Sequence, residues 1–158
     1  MPKYVIDLDI RGIGANTSSL VQEAINLRNK ETYDQVWCVF DRDSFPADNF
    51  NSALALAAAN DISVAYSNEA FELWYLLHFH YYQTGITRAS YIEKLSKLLQ
   101  FKYEKNSEHM YDLLESKQPT AIRNAEKLLK EYSEFTPEKN NPSTTVHLLI
   151  KELNRFVV

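Results

Sequence analysis

Asp41 and Asp43 close an apolar run, Val36-Trp37-Cys38-Val39-Phe40, and stand two residues apart. A hydrophobic strand that stops in two acids delivers them to the C-terminal edge of a sheet, the place where α/β folds bind ligands. Two carboxylates at that spacing project to one side. As hard oxygen donors they suit Mg²⁺, which keeps several of its waters. The other reading has one aspartate capping a turn and the second solvated. Glu69 and Glu72 follow in Ser67-Asn68-Glu69-Ala70-Phe71-Glu72-Leu73-Trp74. Three residues apart, they would share one helix face. Glu72 lies among Phe71, Leu73 and Trp74, so it is expected to be partly buried and to need a partner, which a metal would supply; the other reading has it only cap or brace the Phe71–Phe79 helix. Glu69 reads as a first-turn acid favoured by the helix dipole.

Other residues with chemical capacity have plainer readings. Asp7 and Asp9 repeat the spacing of Asp41 and Asp43 but form the polar face of an alternating segment. His78 and His80 flank Phe79 and read as packing. Cys38 is mid-strand and reads as a small buried hydrophobe. Lys102 and Lys105, with Tyr103, could meet a phosphate or form a solvated loop. Asn140 to Thr145 is polar enough to bind a ligand, and its simplest role is to cap the last helix.

The elements that must position the acids follow from periodicity. Tyr4, Ile6, Leu8 and Ile10 alternate with Val5, Asp7 and Asp9, as in a half-buried strand. Gly12 and Gly14 mark a turn. Thr17, Ser18 and Ser19 are potential helix caps, Ser19 and Gln22 fit a capping box, and Leu20, Val21, Ala24, Ile25 and Leu27 recur at helical spacing. The Val36–Phe40 run reads as a central strand covered on both faces. Asp48 could cap a helix to about Asn60, and Ile62–Tyr66 is a third short strand. This order predicts an α/β fold with parallel strands, the Val36–Phe40 strand in the middle. Residues 67–158 then turn mainly helical. Glu69–Phe79 is apolar, Thr87 caps a helix carrying Tyr91 and Leu95, and Ala121, Ala125 and Leu128 form a stripe. Asn141-Pro142 opens a last helix.

The chain has 158 residues and no sign of a linker or repeat, so residues 1–158 read as one domain, with an α/β portion over 1–66. Its net charge is −4, which disfavours a non-specific basic binder of nucleic acid but not a metal-dependent nuclease with an acidic site. Its single cysteine permits no internal disulfide and fits a reducing cytoplasm. No apolar run is long enough for a membrane span, and the first residues are no signal peptide.

Several blocks resemble the RloB family: Val36-Trp37-Cys38-Val39-Phe40-Asp41-Arg42-Asp43, the stretch from Ala65 to Phe79, Tyr103-Glu104-Lys105, Ala121-Ile122-Arg123-Asn124-Ala125 and Asn141-Pro142-Ser143-Thr144-Thr145-Val146-His147. They extend from about Asp34 to Leu153. The resemblance implies a Toprim-like parallel sheet flanked by helices, with a helical C-terminal half. It implies a place in bacterial restriction-associated or abortive-infection defence, beside a co-encoded ATPase. It carries over Asp41 and Asp43 as Mg²⁺ ligands (Mn²⁺ as substitute) and Glu72 as a further acid, which makes these three the candidate catalytic and metal residues, with nucleic acid as substrate. The family opens with a strand ending in E-G-x-x-T-E, whose Glu is the first acid of the site. This sequence has no such segment and begins where the family's second strand would. The expectation is therefore a site short of one acid and a sheet short of one strand, whether through a shortened product, a fragment or a loss.

Two other functions compete with the nuclease. One is a non-catalytic module that docks on the ATPase and keeps vestigial acids. The other is a phosphatase of the haloacid dehalogenase type, whose first Asp is a nucleophile. That type places Thr or Val where this chain has Phe45, and its downstream lysine and acid pair have no counterpart here.

Overall fold

The computed structural model describes residues 5–13, 17–43, 46–105 and 107–157. In chain order the elements are α1 (Thr17–Lys30), β1 (Trp37–Asp41), α2 (Ala47–Ala59), β2 (Ser63–Asn68), α3 (Glu72–Leu76), α4 (Arg88–Leu99), α5 (Met110–Leu114), α6 (Gln118–Lys130), β3 (Ser143–Thr144) and α7 (Val146–Asn154). The fold is α/β, as expected. Among the described residues the sheet has three strands in the order β1-β2-β3. β1 and β2 are parallel, with Trp37 opposite Ser63 and Asp41 opposite Ser67. β3 runs antiparallel to β2, with Ser67 opposite Thr144 and Asn68 opposite Ser143.

Two expectations about the sheet are corrected. The sheet is mixed rather than parallel, and its central strand is β2. The apolar run of β1 suggested cover on both faces, but Val39 is 42% exposed and β1 lies at the edge. β2 hid its central position because its buried end is polar. Ser67 Oγ lies 2.9 Å from Thr144 Oγ1, and Asn68 Nδ2 donates to the Pro137 carbonyl at 2.9 Å. Buried polar groups with partners cost little, and hydropathy does not reveal them.

Residues 5–13 form no strand. Val5 is 71% and Ile10 85% exposed, so among the described residues the apolar side of the alternation is not buried against a sheet. One backbone bond, Val5 N–H to the Phe156 carbonyl at 2.9 Å, ties the segment to the C-terminal end. Tyr4 and Gly14 lie outside the described residues.

Successive residues of the strands point to opposite faces. Cys38 packs with Val21, Ile25, Ala53, Ala57 and Ile62 under α1 and α2. Phe50 of α2 meets the rings of Phe40 and Tyr66 edge-on, with centroids 5.8 and 5.6 Å away. Ala65 points the other way, into a larger core with Leu73, Trp74, Leu76, Tyr91, Leu95 and Leu128.

The helix starts also differ from expectation. Thr17, Ser18 and Ser19 lie inside α1 rather than capping it, so the Ser19–Gln22 box does not form. Pro46 takes the cap position of α2, and Asp48 sits in the first turn, where the dipole favours an acid. Thr87 does cap α4: its side chain accepts from the Ser90 N–H at 3.2 Å. Asn141-Pro142 does not open α7. That peptide bond is cis, Ser143–Thr144 pair as β3, and the helix begins at Val146. The hydroxyls of the polar segment bond the central strand instead, as where Thr145 Oγ1 accepts from the Tyr66 N–H at 3.0 Å. Among the described residues, no helix is long and apolar enough to cross a membrane.

Candidate functional site: three acids around Arg88

Asp41 is the last residue of β1 and lies beside Ser67 of the central strand. Asp43 follows in a turn with φ 45°, a left-handed conformation that aspartate tolerates better than most residues. Two backbone bonds hold this corner: Arg42 N–H to the Ser67 carbonyl at 2.8 Å, and Asp43 N–H to the Glu69 carbonyl at 3.0 Å. Glu72 is the first residue of α3 and is only 3% exposed.

All three acids meet the guanidinium of Arg88, the first residue of α4. Arg88 Nη2 is 2.5 Å from Asp41 Oδ2 and 2.7 Å from Asp43 Oδ1. Arg88 Nε lies 3.8 Å from Glu72 Oε2. The other Glu72 oxygen faces the Tyr103 hydroxyl at 3.4 Å. The chain therefore brings Asp41 and Asp43, from the end of β1 and the turn after it, together with Glu72 of α3 at the C-terminal end of the parallel strand pair.

Burial pushes the Asp41 carboxyl up to about 6. The Phe71 N–H and the Arg88 charge pull it down, while Asp43 and Glu72 push it further up. Burial would lower Arg88, but Asp43, Asp41 and Glu72 outweigh that and hold it above its usual range. Burial, followed by the Glu72 charge, raises the Tyr103 phenol. Three carboxylates against one guanidinium leave an excess of negative charge in a partly desolvated place.

Glu69 does not join this group on a shared helix face. It precedes α3, so Glu72 is the first-turn acid. Asp9 is bound by Arg11 at 3.0 Å and by the Tyr33 hydroxyl at 2.6 Å. His78 packs edge-on against Trp74, with Nδ1 2.9 Å from the Trp74 carbonyl, in keeping with the packing reading. Cys38 is 3% exposed, and burial raises its thiol to about 11, as befits a hydrophobe rather than a nucleophile. Lys102 and Lys105 are exposed, whereas Tyr103 is 5% exposed and turned inward to Glu72, which takes it out of the solvated loop.

Arg88 is the residue that sequence reasoning missed. Its signal was local: an arginine directly after the Thr87 cap places a cation at the positive end of a helix dipole, which is unfavourable unless acids stand nearby.

The donor set is all oxygen, as Mg²⁺ prefers. Glu72 also keeps Oε2 buried without a hydrogen bond. These features fit a divalent cation chemically. As the side chains lie, with Arg88 among them, no trio of His, Cys, Asp and Glu among the described residues is arranged to share an ion.

A mixed α/β sheet whose parallel strands end in converging acids defines a protein with a polar site at its strand ends. The chain matches the family model described as RloB-like protein over residues 4–153, and it belongs to that family. No curated protein and no solved structure matches it.

Proposed function

We propose that this chain is a Toprim-like subunit of a bacterial phage-defence system, of the restriction-associated or abortive-infection kind, and that it hydrolyses phosphodiesters of nucleic acid with Mg²⁺. Membership of the RloB-like family supports the setting. The observation that carries the chemistry is the convergence of Asp41, Asp43 and Glu72 on one point. Those three residues would hold the ion, with Mn²⁺ as a substitute. A bound Mg²⁺ supplies Lewis-acid polarisation of the phosphate and stabilises the leaving oxygen.

The chain's own groups supply the framework. The Phe71 N–H steadies the Asp41 carboxylate, and the Tyr103 hydroxyl faces one oxygen of Glu72. The edge-on contacts of Phe50 with Phe40 and Tyr66 brace the strands that present Asp41.

Labelled DNA and RNA incubated with the purified protein and Mg²⁺ test this reading. Cleavage is expected, lost on chelation and reduced at least about a hundredfold in Asp41→Asn, since even outer-shell partners of a metal are worth 10–100-fold. Cleavage that persists unchanged in Asp41→Asn would overturn it. A second reading, a non-catalytic module that docks on a partner ATPase, is favoured by one observation: Arg88 already pairs with all three acids. It predicts capture of the ATPase with no cleavage by either protein variant.

A further inference from the structure

Arg88 sits where a cation is least expected and where three anions wait. The first turn of α4 carries no acid, and Thr87 already satisfies the Ser90 N–H. Arg88 thus adds nothing to the helix start. Among the described residues, the charged partners that reach it are Asp41, Asp43 and Glu72.

The fit is incomplete. A guanidinium presents a planar fork that suits paired hydrogen bonds to a carboxylate. Here one nitrogen, Nη2, serves both aspartates. Arg88 Nε and Glu72 Oε2 are both shielded from water and lack a hydrogen bond, 3.8 Å apart. A single positive charge also falls short of three carboxylates. A divalent ion has the charge and the affinity for oxygen that this guanidinium lacks.

We propose that Arg88 is a tethered stand-in for the divalent cation: its guanidinium fills the acid cluster when the ion is absent and leaves when the ion binds. The inference rests on the reading of Asp41, Asp43 and Glu72 as the metal-holding set. The side chain is suited to exchange. It is 35% exposed, while that of Glu72 is 4% exposed, so the arginine can reach solvent and the glutamate cannot. Rotation about its side-chain torsions opens the cluster, and the Thr87 cap keeps the start of α4 in place. Exchange sets the metal requirement of the protein, because apparent affinity is the intrinsic affinity scaled by the fraction of molecules whose site is open. Below that threshold Arg88 offsets part of the acids' charge and keeps the corner between β1 and α3 closed.

Two measurements on the full chain decide it. Calorimetric titration with Mg²⁺ and with Mn²⁺ compares the wild type with Arg88→Gln and Arg88→Lys. Arg88→Gln is expected to bind at least about tenfold tighter, the gain for a site that is open about a tenth of the time. Arg88→Lys should fall between, since a lysine keeps the charge but as a more strongly hydrated ammonium that leaves the cluster more readily. The second measurement follows the Arg88 Nε–H by NMR in the wild type, where no substitution can disturb folding. Its exchange with water should be slow without metal and should quicken when Mg²⁺ saturates the site. Saturation with that signal unmoved would overturn the exchange, even with tighter binding by Arg88→Gln, because loss of a nearby charge alone would explain the gain. Equal binding by the three proteins with the signal unmoved removes the exchange and leaves the metal site standing. Failure of all three to bind either ion removes both.

Discussion

Asp7 and Asp9 have the same spacing as Asp41 and Asp43, and the two pairs have different surroundings. Asp9 lies on an exposed segment, tied by Arg11 and Tyr33, and its carboxyl is held below the usual range by bonds from those two residues. Asp41 lies at the end of a paired strand, and burial holds its carboxyl up near 6. Spacing is shared, so spacing does not make the site. What separates the pairs is a strand that is hydrogen-bonded to a neighbour and a second element that brings further charge. Among the described residues, 5–13 form no strand, and the cation that binds Asp9, Arg11, comes from the same segment.

The largest effect that can break this contrast is on the frame. Phe50 is fully buried and contacts both Phe40 and Tyr66. Phe50→Ala should destabilise the protein by about 3–5 kcal/mol and lower its melting temperature by roughly 10 °C. Ile10→Ser, at a position 85% exposed, should change stability by no more than about 0.5 kcal/mol. A comparable loss from both, in thermal melts, would show that the exposed segment is packed after all.

Next comes the metal. In calorimetric titration Asp41→Asn with Asp43→Asn should weaken Mg²⁺ binding by about a hundredfold or more, while Asp7→Asn with Asp9→Asn should leave it unchanged. Equal effects would erase the distinction between the pairs.

The smallest effect sharpens the contrast by its sign. With metal chelated, carboxylate NMR should place the Asp41 midpoint near 6 and that of Asp9 below the ordinary aspartate value of 3.8. For Asp41 the folded value lies above the unfolded one. The folded state therefore binds that proton more tightly between about pH 4 and 6. Its contribution to stability is fully present below that window and is lost as pH rises through it. Asp9 works in the opposite direction, contributing above the unfolded pKa and losing that contribution as pH falls. Midpoints in the reverse order would contradict the burial difference on which the contrast rests.

How much of this was legible in the sequence depends on where the information lay. The end of β1 was legible because an apolar run broke off in two acids, and Glu72 because it sat in an apolar stretch just past the next strand. Parallel pairing of those strands was legible from the intervening helical segment. The order of the sheet was not. Val39 is apolar and exposed, and Ser67 and Thr144 are polar and buried against each other, so hydropathy pointed the wrong way at both strands. The strand-like alternation of residues 5–10 was real, but a strand needs a neighbour, and none is supplied within the described residues. Arg88 was hidden by distance: 47 positions separate it from Asp41, and only the packing of α3 and α4 brings them together.

The central strand has a further consequence for the molecule as a whole. β2 sends Val64 and Tyr66 toward α1 and α2, sends Ala65 into the larger helical core, and bonds to β1 on one side and β3 on the other. Neither core has a wall of its own on that side. Opening one exposes backbone and apolar surface that the other depends on, so the two melt as one cooperative unit rather than as separable pieces. A chain cut after Tyr66 would keep the sequence of its α/β part yet lose β3, the helical face and the end of β2 that positions Asp41.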